Sequence, residues 1–213
     1  MAIYDITLTL SAGAVVYPGD PPVEITPFLS TARGDAFNLS KLSLGVHTLT
    51  HVDAPSHFIE GGATAAELPL YALCGRAQVI DLSEKVPPGS PIGIEDVANV
   101  ATAERILLKT ANHALWQRGE FAPDYVHLSK EAAAYLIRAG VKLVGIDYYS
   151  VDAYGDAGYP VHRALLENSV IVAENLYLKD VPAGFYDLIL LPLRIAGADG
   201  APARGILKSL KDE

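Results

Sequence analysis

The chain has 213 residues, of which half are hydrophobic and 19% are charged, and its formal net charge is −9. This length suits a single compact domain with a sizeable core, two small domains being the alternative. The acidic balance argues against nucleic acid or an anionic membrane surface as the partner, and it is compatible with metal cations. The low charged fraction indicates a large interior or an oligomer that buries further apolar surface, so a homodimer or higher homo-oligomer is expected.

The first ten residues, MAIYDITLTL, alternate apolar and polar side chains and carry no basic segment. This pattern predicts a strand rather than a signal peptide. No apolar run approaches the roughly 18 residues of a membrane span, and we expect a cytoplasmic protein. The single cysteine, Cys74, excludes an intramolecular disulfide and is predicted to be a small buried apolar residue.

Short β-rich runs alternate with loops that proline and glycine clusters mark. In chain order, strands are predicted at residues 3–10, 39–46, 78–82, 105–109, 143–147, 170–173, 188–193 and 205–208. One helix is predicted from an N-cap at Ser129 to Gly140, and a second begins at Pro160 and covers VHRALLEN. These helices alternate with two of the strands, which predicts parallel pairing there. The sequence therefore predicts an α/β domain with a mixed sheet rather than an uninterrupted doubly wound one.

Three histidines and one aspartate lie within eleven residues, in the pattern H-x-x-x-H-x-D-x-x-x-H. They are His47, His51, Asp53 and His57, and they include half of the six histidines of the chain. Imidazole and carboxylate groups are ligands of borderline divalent metals, and four of them this close together predict a metal site. The alternative is that these side chains cap loops or satisfy hydrogen bonds in the core.

The spacing of these residues restricts how they can bind a metal. Pro55 prevents a continuous helix through the second half of the motif. A fully extended segment would separate His47 from His51 by roughly 13 Å, whereas a turn brings residues i and i+4 to about 6 Å. His51 and Asp53, two residues apart in an extended piece, point to the same face. We therefore predict a turn at residues 48–50, followed by extended chain, with His47, His51 and Asp53 as one ligand set.

Three ligands leave an open coordination position, which a catalytic metal requires for water. Asp53 can also bridge two metals through its two carboxylate oxygens. His57 lies one step further along the chain, where it is placed either to serve a second metal or to act as general acid and base.

The motif closely resembles the signature of the metal-dependent cyclase family, which includes bacterial kynurenine formamidases and isatin hydrolases. The usual form is H-T-G-T-H-x-D-x-P-x-H, and this chain departs from it at Leu49, where glycine is commoner. The resemblance covers most of the chain and includes residues 17–20, 79–83, 145–147, 150–152 and 197–202. It implies one cyclase-family hydrolase domain over residues 1–213, with a swivelling β/β/α-like fold and a few packed helices.

The family pattern also contains a histidine and a glutamate twelve residues apart, and the chain offers His162 and Glu174 at that spacing. The resemblance implies that His47, His51 and Asp53 hold a first metal. It further implies that Asp53 and Glu174 bridge to a second metal, which His162 also binds. Zn²⁺ is the expected ion, with one or two per chain, and a mixed histidine and carboxylate set also accepts Mn²⁺ or Fe²⁺.

Two further residues are assigned to the reaction by the resemblance. His57 matches the family's proton donor and acceptor. In kynurenine formamidases the aromatic residue before Pro-Gly-Asp is typically a tryptophan that stacks on the substrate ring, and here it is Tyr17. Tyrosine can stack in the same way, and a packing role is the alternative.

Other residues able to bind metal or substrate are predicted to be structural. His113 and His127 match no ligand position. Arg204 and Asp199 are predicted to brace the glycine-rich loop rather than to contact a substrate carboxylate. Trp116 is predicted to be a packing aromatic.

The sequence therefore predicts a metal-dependent amidohydrolase that acts on a small aryl formamide of the N-formylkynurenine type, in tryptophan catabolism. Hydrolysis of isatin-like lactams or of lactones is the alternative within the enzyme class. A structural metal-binding module is the alternative outside it. Structural zinc sites are usually closed and rich in cysteine, whereas this ligand set contains no cysteine.

Overall fold

The computed structural model describes residues 1–98 and 103–210. Within these residues the strands are β1 (Ile3–Asp5), β2 (Glu24–Leu29), β3 (Leu39–Ser43), β4 (His51–Asp53), β5 (Cys74–Asp81), β6 (Pro91–Ile92), β7 (Arg105–Lys109), β8 (His127–Leu128), β9 (Leu143–Ile146), β10 (Ile171–Glu174), β11 (Gly184–Pro192) and β12 (Gly200–Ser209). The helices are α1 (Leu70–Leu73), α2 (Ile94–Val97), α3 (Lys130–Arg138) and α4 (Pro160–Glu167), with 3₁₀ turns at Thr31–Arg33, Pro55–His57, Ala65–Glu67 and Ala111–Arg118. In the described part of the chain, no helix is long and apolar enough to cross a membrane.

Eight strands form one sheet in the order β1-β12-β11-β5-β7-β9-β10-β4. Because β4 also pairs with β12, seven of these strands close into a ring, and β1 is attached to β12 outside it. Strands β5, β7, β9 and β10 run parallel, whereas the pairs that involve β4, β11 and β12 are antiparallel. The predicted α/β class with a mixed sheet is confirmed, and so is the parallel pairing on either side of α4.

Alternate residues of the parallel strands face two separate cores. In β9, Leu143 belongs to the core inside the ring, whereas Val144 and Ile146 belong to the core beneath the helices. Leu136 of α3 and Leu165 of α4 pack in that outer core. Each of these fully buried side chains stabilises the fold by about 1.5–3 kcal/mol relative to an exposed one. The strands are therefore apolar on both faces, and polar groups concentrate at the strand ends.

The two predicted helices form where their capping residues predict them. The Ser129 side chain accepts a hydrogen bond from the N–H of Ala132 at the start of α3. Gly140, just past the end of α3, has φ +79°, the left-handed conformation that commonly terminates a helix. Pro160 occupies the first position of α4, where its missing N–H costs nothing.

Several predicted strand bounds are wrong. The first strand ends at Asp5, because the N–H of Leu8 donates to the Thr50 hydroxyl instead of a sheet partner. The strand predicted at 39–46 ends at Ser43, where the chain begins to turn towards the histidine motif. The last two strands begin earlier than predicted because they pair with each other along most of their length. Cys74 is half-buried at the start of β5 rather than fully buried.

Candidate metal centre and substrate cleft

Neighbouring strands bring the central residues of the histidine motif together. β4 carries His51 and Asp53 and lies between β10 and β12. In the pairing of β4 with β10, His51 lies directly opposite Glu174. The chain bends at residues 48–50, as predicted, and the ring centroids of His47 and His51 lie 5.1 Å apart.

Leu49, in this bend, has φ +51°, which is the left-handed region that favours glycine. Its carbonyl oxygen accepts hydrogen bonds from Nδ1 of His51 at 2.6 Å and from the side-chain amide of Asn175 at 3.0 Å. Asn175 follows Glu174 directly and is itself left-handed, with φ +57°. A hydrogen bond between two left-handed residues thus joins the segment that carries His51 to the segment that carries Glu174. Glycine, the residue that the family usually has at position 49, would adopt this backbone conformation without strain.

We expect Leu49→Gly to be more stable than Leu49→Ala, by about 1 kcal/mol in the free energy of unfolding. Both variants lose a buried leucine side chain, which is 5% exposed, but only alanine keeps a Cβ in left-handed backbone. Urea denaturation of the metal-free variants measures the difference. At Leu73, buried in α1, the same pair of substitutions should show the usual order, with alanine more stable. If alanine were also more stable at Leu49, the left-handed bend would not exist in solution.

Asp53 is buried, and its two oxygens face different imidazoles. Oδ1 lies 2.8 Å from Nδ1 of His47 and 3.1 Å from Nε2 of His51, whereas Oδ2 lies 3.2 Å from Nε2 of His162. Burial alone would raise the pKa of Asp53, but the surrounding imidazoles hold it well below its usual range. Asp53 therefore belongs to two overlapping groups of metal donors, one with His47 and His51 and one with His162 and Glu174.

Glu174, like Asp53, faces imidazoles of both groups. Its Oε2 is 3.5 Å from Nε2 of His51, and its Oε1 is 3.0 Å from Nε2 of His162. Oε1 also accepts a hydrogen bond from the N–H of Val151 at 2.8 Å. Burial raises the pKa of Glu174, so its ionised form depends on positive charge close by.

Asp152 positions His162 in the first turn of α4. The carboxylate accepts hydrogen bonds from the N–H of Val161 at 2.8 Å and from the N–H of His162 at 3.0 Å, which caps the helix. The same carboxylate lies 2.6 Å from Nδ1 of His162. Nδ1 therefore carries a proton, and Nε2 faces Asp53 and Glu174. Burial opposes protonation of the ring, but Glu174, Asp152 and Asp53 outweigh it and raise the pKa of His162 well above its usual value, so a metal bound there would replace the proton on Nε2. A carboxylate behind an imidazole is the usual support of a metal-binding histidine.

His47 lies at the edge of the cluster, between two carboxylates. Its Nε2 is 2.9 Å from Oδ2 of Asp199. Burial opposes protonation of His47, but Asp53 and Asp199 outweigh it and raise the pKa of the imidazole to about 9. The ring lies against Gly200, where an added Cβ would come within 2.5 Å of Cε1 of His47. Only glycine therefore fits at the start of β12.

His57 ends the 3₁₀ turn that Pro55 begins, and its ring stacks on that of His47 with the centroids 3.9 Å apart. Its Nδ1 lies 3.2 Å from Oδ2 of Asp199. Burial lowers the pKa of His57 to about 4, so the imidazole is neutral at pH 7. With Nδ1 donating to Asp199, Nε2 is the nitrogen left to accept a proton. His47, His57 and Asp199 also form a third group of donors close enough to hold a metal.

The bonding of the cluster fits a divalent metal. Nε2 of His51 and Oδ2 of Asp53 are buried and form no hydrogen bond with any described residue. Such atoms are costly unless something binds them, and a divalent metal held by His51 and Asp53 would satisfy both. The donor set of three imidazoles and two carboxylates suits Zn²⁺, Mn²⁺ or Fe²⁺.

The imidazoles and Glu174 line one side of a small cleft with a volume of about 220 Å³. Four aromatic rings also line it, those of Tyr17, Phe58, Tyr149 and Tyr159, together with Asp20 and Ser150. Tyr17, the aromatic residue that precedes Pro-Gly-Asp and that is predicted to stack on the substrate, packs edge-on against Tyr149. The volume lies below the usual range for ligand pockets and suits one substituted aromatic ring.

The other histidines lie outside this cleft and contact the backbone, as predicted. Nδ1 of His113 lies 2.8 Å from the carbonyl oxygen of Thr110, and Nδ1 of His127 lies 3.2 Å from that of Tyr125. The ring of Trp116 packs against other aromatic residues, also as predicted.

The bracing role predicted for Arg204 and Asp199 is wrong. Arg204 forms an ion pair with Asp5 on the surface, and Asp199 contacts the imidazoles of the cluster. Asp199 is 142 positions from His57 in the sequence, and no local pattern marks it as a partner. Asp152 was also missed, because it lies nine positions before Val161, whose N–H it accepts from, whereas the capping signal that a sequence shows stands directly before the helix.

Comparison with known proteins agrees with the fold. A family model described as "Putative cyclase" matches residues 4–153. The kynurenine formamidase of Salinibacter ruber (strain DSM 13855 / M31) is 38% identical over 216 residues, which cover all of both chains. That of Bacillus cytotoxicus (strain DSM 22905 / CIP 110041 / 391-98 / NVH 391-98) is 34% identical over 97% of each chain.

Two solved structures extend the comparison. A potential metal-dependent hydrolase with cyclase activity superposes with a TM-score of 0.84 at 32% identity, over 99% of both chains. Isatin hydrolase A from Labrenzia aggregata superposes with a TM-score of 0.82 at 25% identity, over 97% of this chain and 93% of that one. The fold and the site thus define a metal-dependent hydrolase. The chain belongs to the cyclase family, as its histidine motif predicts.

Proposed function

We propose that the chain is an amidohydrolase that uses a divalent metal to cleave small aryl formamides of the N-formylkynurenine type. One observation carries the proposal. Two groups of metal donors share Asp53 beside an aromatic cleft, and the neutral imidazole of His57 lies next to them. The relatives named kynurenine formamidase, at 32–38% identity over nearly the whole chain, support the same substrate class.

The proposed reaction adds water across the formamide C–N bond. A divalent metal bound by the cluster supplies polarisation of the formyl carbonyl and a lowered pKa for water. The aromatic walls hold the aryl ring, and His57 takes a proton from the attacking water through Nε2. The water oxygen bonds to the formyl carbon, the C–N bond breaks, and His57 returns the proton to the leaving nitrogen. Formate and an aryl amine are the products, and Asp199 keeps the His57 ring oriented throughout.

An isatin-like lactam or a lactone is the alternative substrate, because the same groups can open a cyclic amide or ester. The likeness to isatin hydrolase A favours the isatin-like lactam over other cyclic substrates. A panel of N-formylkynurenine, formanilide, isatin and a simple lactone, assayed on the metal-loaded protein, separates these possibilities. We expect the formamides to have the highest kcat/KM, and faster turnover of isatin or the lactone would replace the proposed substrate class.

Dialysis against a chelator distinguishes the enzyme from a structural metal-binding module. We expect activity to disappear while the far-UV circular dichroism stays unchanged, because the ring of strands is held by two apolar cores. Collapse of the far-UV spectrum with metal removal would indicate a structural site instead.

The cluster is expected to bind two metal ions per chain. Oδ1 and Oδ2 of Asp53 face different imidazoles, and one tetrahedral ion would leave several of the donors without a role. Metal analysis after reloading with Zn²⁺ and removal of excess ion should approach two per chain. A plateau at one ion under saturating conditions would reject the bridged arrangement.

We propose Zn²⁺ as the resident ion, since imidazole ligands dominate the donor set, with Mn²⁺ as an acceptable substitute. We also propose a cytoplasmic enzyme that works as a homodimer or higher homo-oligomer, and the low charged fraction of the chain supports the oligomer. Size-exclusion chromatography with light scattering tests the oligomer, and a monomer at micromolar concentration would contradict it.

Tyr17 is proposed to stack on the aryl ring of the substrate. Tyr17→Trp should lower KM for formanilide several-fold, because an indole buries more apolar area than a phenol. The additional burial should strengthen binding by about 1 kcal/mol. Metal content should be unchanged, and a non-aromatic lactone should gain little. An equal change for aryl and non-aryl substrates would show that Tyr17 only packs against its aromatic neighbours.

A further inference from the structure

Asp20 is a carboxylate of the cleft that the proposed reaction does not use. It follows Tyr17-Pro-Gly in a turn, in which the N–H of Asp20 donates to the carbonyl of Tyr17 at 3.0 Å. It is half-buried, it lines the cleft, and its carboxylate forms no hydrogen bond or ion pair with any described residue. Asp53 and Glu174 lie within 3.1 Å of imidazole nitrogens, whereas Asp20 only feels the charge of His47 and His51 across the cleft, and burial raises its pKa. A partly desolvated carboxylate without a partner is costly in isolation and binds a cation favourably.

The rest of the cleft favours a positive substituent over a negative one. Away from the imidazoles and Glu174, which the proposed metal ions would neutralise, the lining is aromatic or hydroxyl apart from Asp20, and it includes no lysine or arginine among the described residues. The guanidinium of Arg163 lies nearby, but it donates to the carbonyl oxygens of Gly158 and Phe58 and lies over the Phe58 ring. Electron-rich rings such as those of Tyr17 and Tyr159 attract an ammonium group through cation–π contacts.

We propose that Asp20 is the counter-ion for an ammonium substituent on the substrate, so that the cleft selects cationic aryl amides over anionic ones. This inference rests on the proposed aryl formamide hydrolysis and adds the charge of the substrate to it. The ring lies among the aromatic walls, the formamide faces the metal donors, and the ammonium group lies beside Asp20. Asp20 then sets specificity and takes no part in proton transfer.

The test compares three kinds of formanilide on the metal-loaded enzyme: unsubstituted, aminomethyl-substituted and carboxylate-substituted. Each of the two substituents is placed at the meta and at the para position. At the better position, kcat/KM should fall in the order aminomethyl, unsubstituted, carboxylate, with about tenfold between the extremes. The difference should lie mainly in KM, and it should shrink as ionic strength rises.

Asp20→Asn keeps the shape of the side chain and removes its charge. It should lower the ratio of kcat/KM for the aminomethyl substrate to that for the carboxylate substrate about tenfold, to a value near 1. Glu24→Gln is the matched control, because Glu24 is exposed on β2 and does not line the cleft. It removes the same charge from the same part of the chain and should leave the ratio as it is in the wild type.

Three results would overturn the assignment of Asp20. The wild type could show no preference for the ammonium group, Asp20→Asn could leave the ratio unchanged, or Asp20→Asn could lose metal and slow all three substrates equally. The first of these needs no variant, so the proposal stays testable even if Asp20→Asn fails to fold. Failure to hydrolyse any of the three formanilides would instead reject the proposed function, and this inference with it.

Discussion

Replacing Asp53 by asparagine is expected to remove bound metal and to lower kcat at least ~10³-fold, a loss of about 4 kcal/mol in transition-state stabilisation. Asp53 is the one residue shared by the two central groups of donors. An amide has a single neutral oxygen donor, so it cannot bridge two cations or offset their charge. We therefore expect Asp53→Asn to lose more metal than substitution of any single histidine of these two groups, with His51→Ala also losing metal and activity.

Metal analysis and steady-state kinetics on the same preparations measure this effect. Asp187→Asn is the matched control, since Asp187 is exposed on β11 and contributes to none of the donor groups. Far-UV circular dichroism checks that the variant is folded. Retention of two metals and of more than a tenth of the activity by Asp53→Asn would contradict the bridging role.

His57→Ala is expected to lower kcat by ~10²–10⁴, the usual contribution of a general acid and base, and to keep most of the metal. The reason is its position, since His57 contacts Asp199 and stacks on His47 but is outside the two groups that Asp53 joins. KM for formanilide should change little, because the lost step is proton transfer. His127→Ala removes an imidazole outside the cleft whose Nδ1 contacts the carbonyl oxygen of Tyr125, and it should behave like the wild type.

The outcome of the His57 experiment separates two roles. A metal-free His57→Ala protein would make His57 a ligand first, in the group that it forms with His47 and Asp199. Near-normal turnover with metal retained would remove it from the reaction altogether. In either case the proton transfer would need another acceptor.

The strength of local signals decided which parts of the fold could be predicted. α3 and α4 were predicted within one or two residues, because their capping residues and apolar faces are encoded in neighbouring positions. The parallel pairing around α4 followed from the order of the elements. The closure of the sheet through β4 and β12 could not be predicted. β4 has only three residues, and its two partners lie more than a hundred residues further along the chain.

The sequence by itself determined the donor motif, because four metal-binding side chains within eleven residues are rarely anything but a metal site, and Pro55 excludes a helix through them. It also determined that residues 48–50 must bend, since an extended chain would separate His47 from His51. Tertiary structure alone decided how Asp53 is shared and which groups surround it. Asp199 reaches His57 only because β12 pairs with β4, and Asp20 shares a cleft with Glu174 although the two are far apart in the sequence. The physical reason is that these contacts are set by strand register over long chain separations, which no local pattern of residues records.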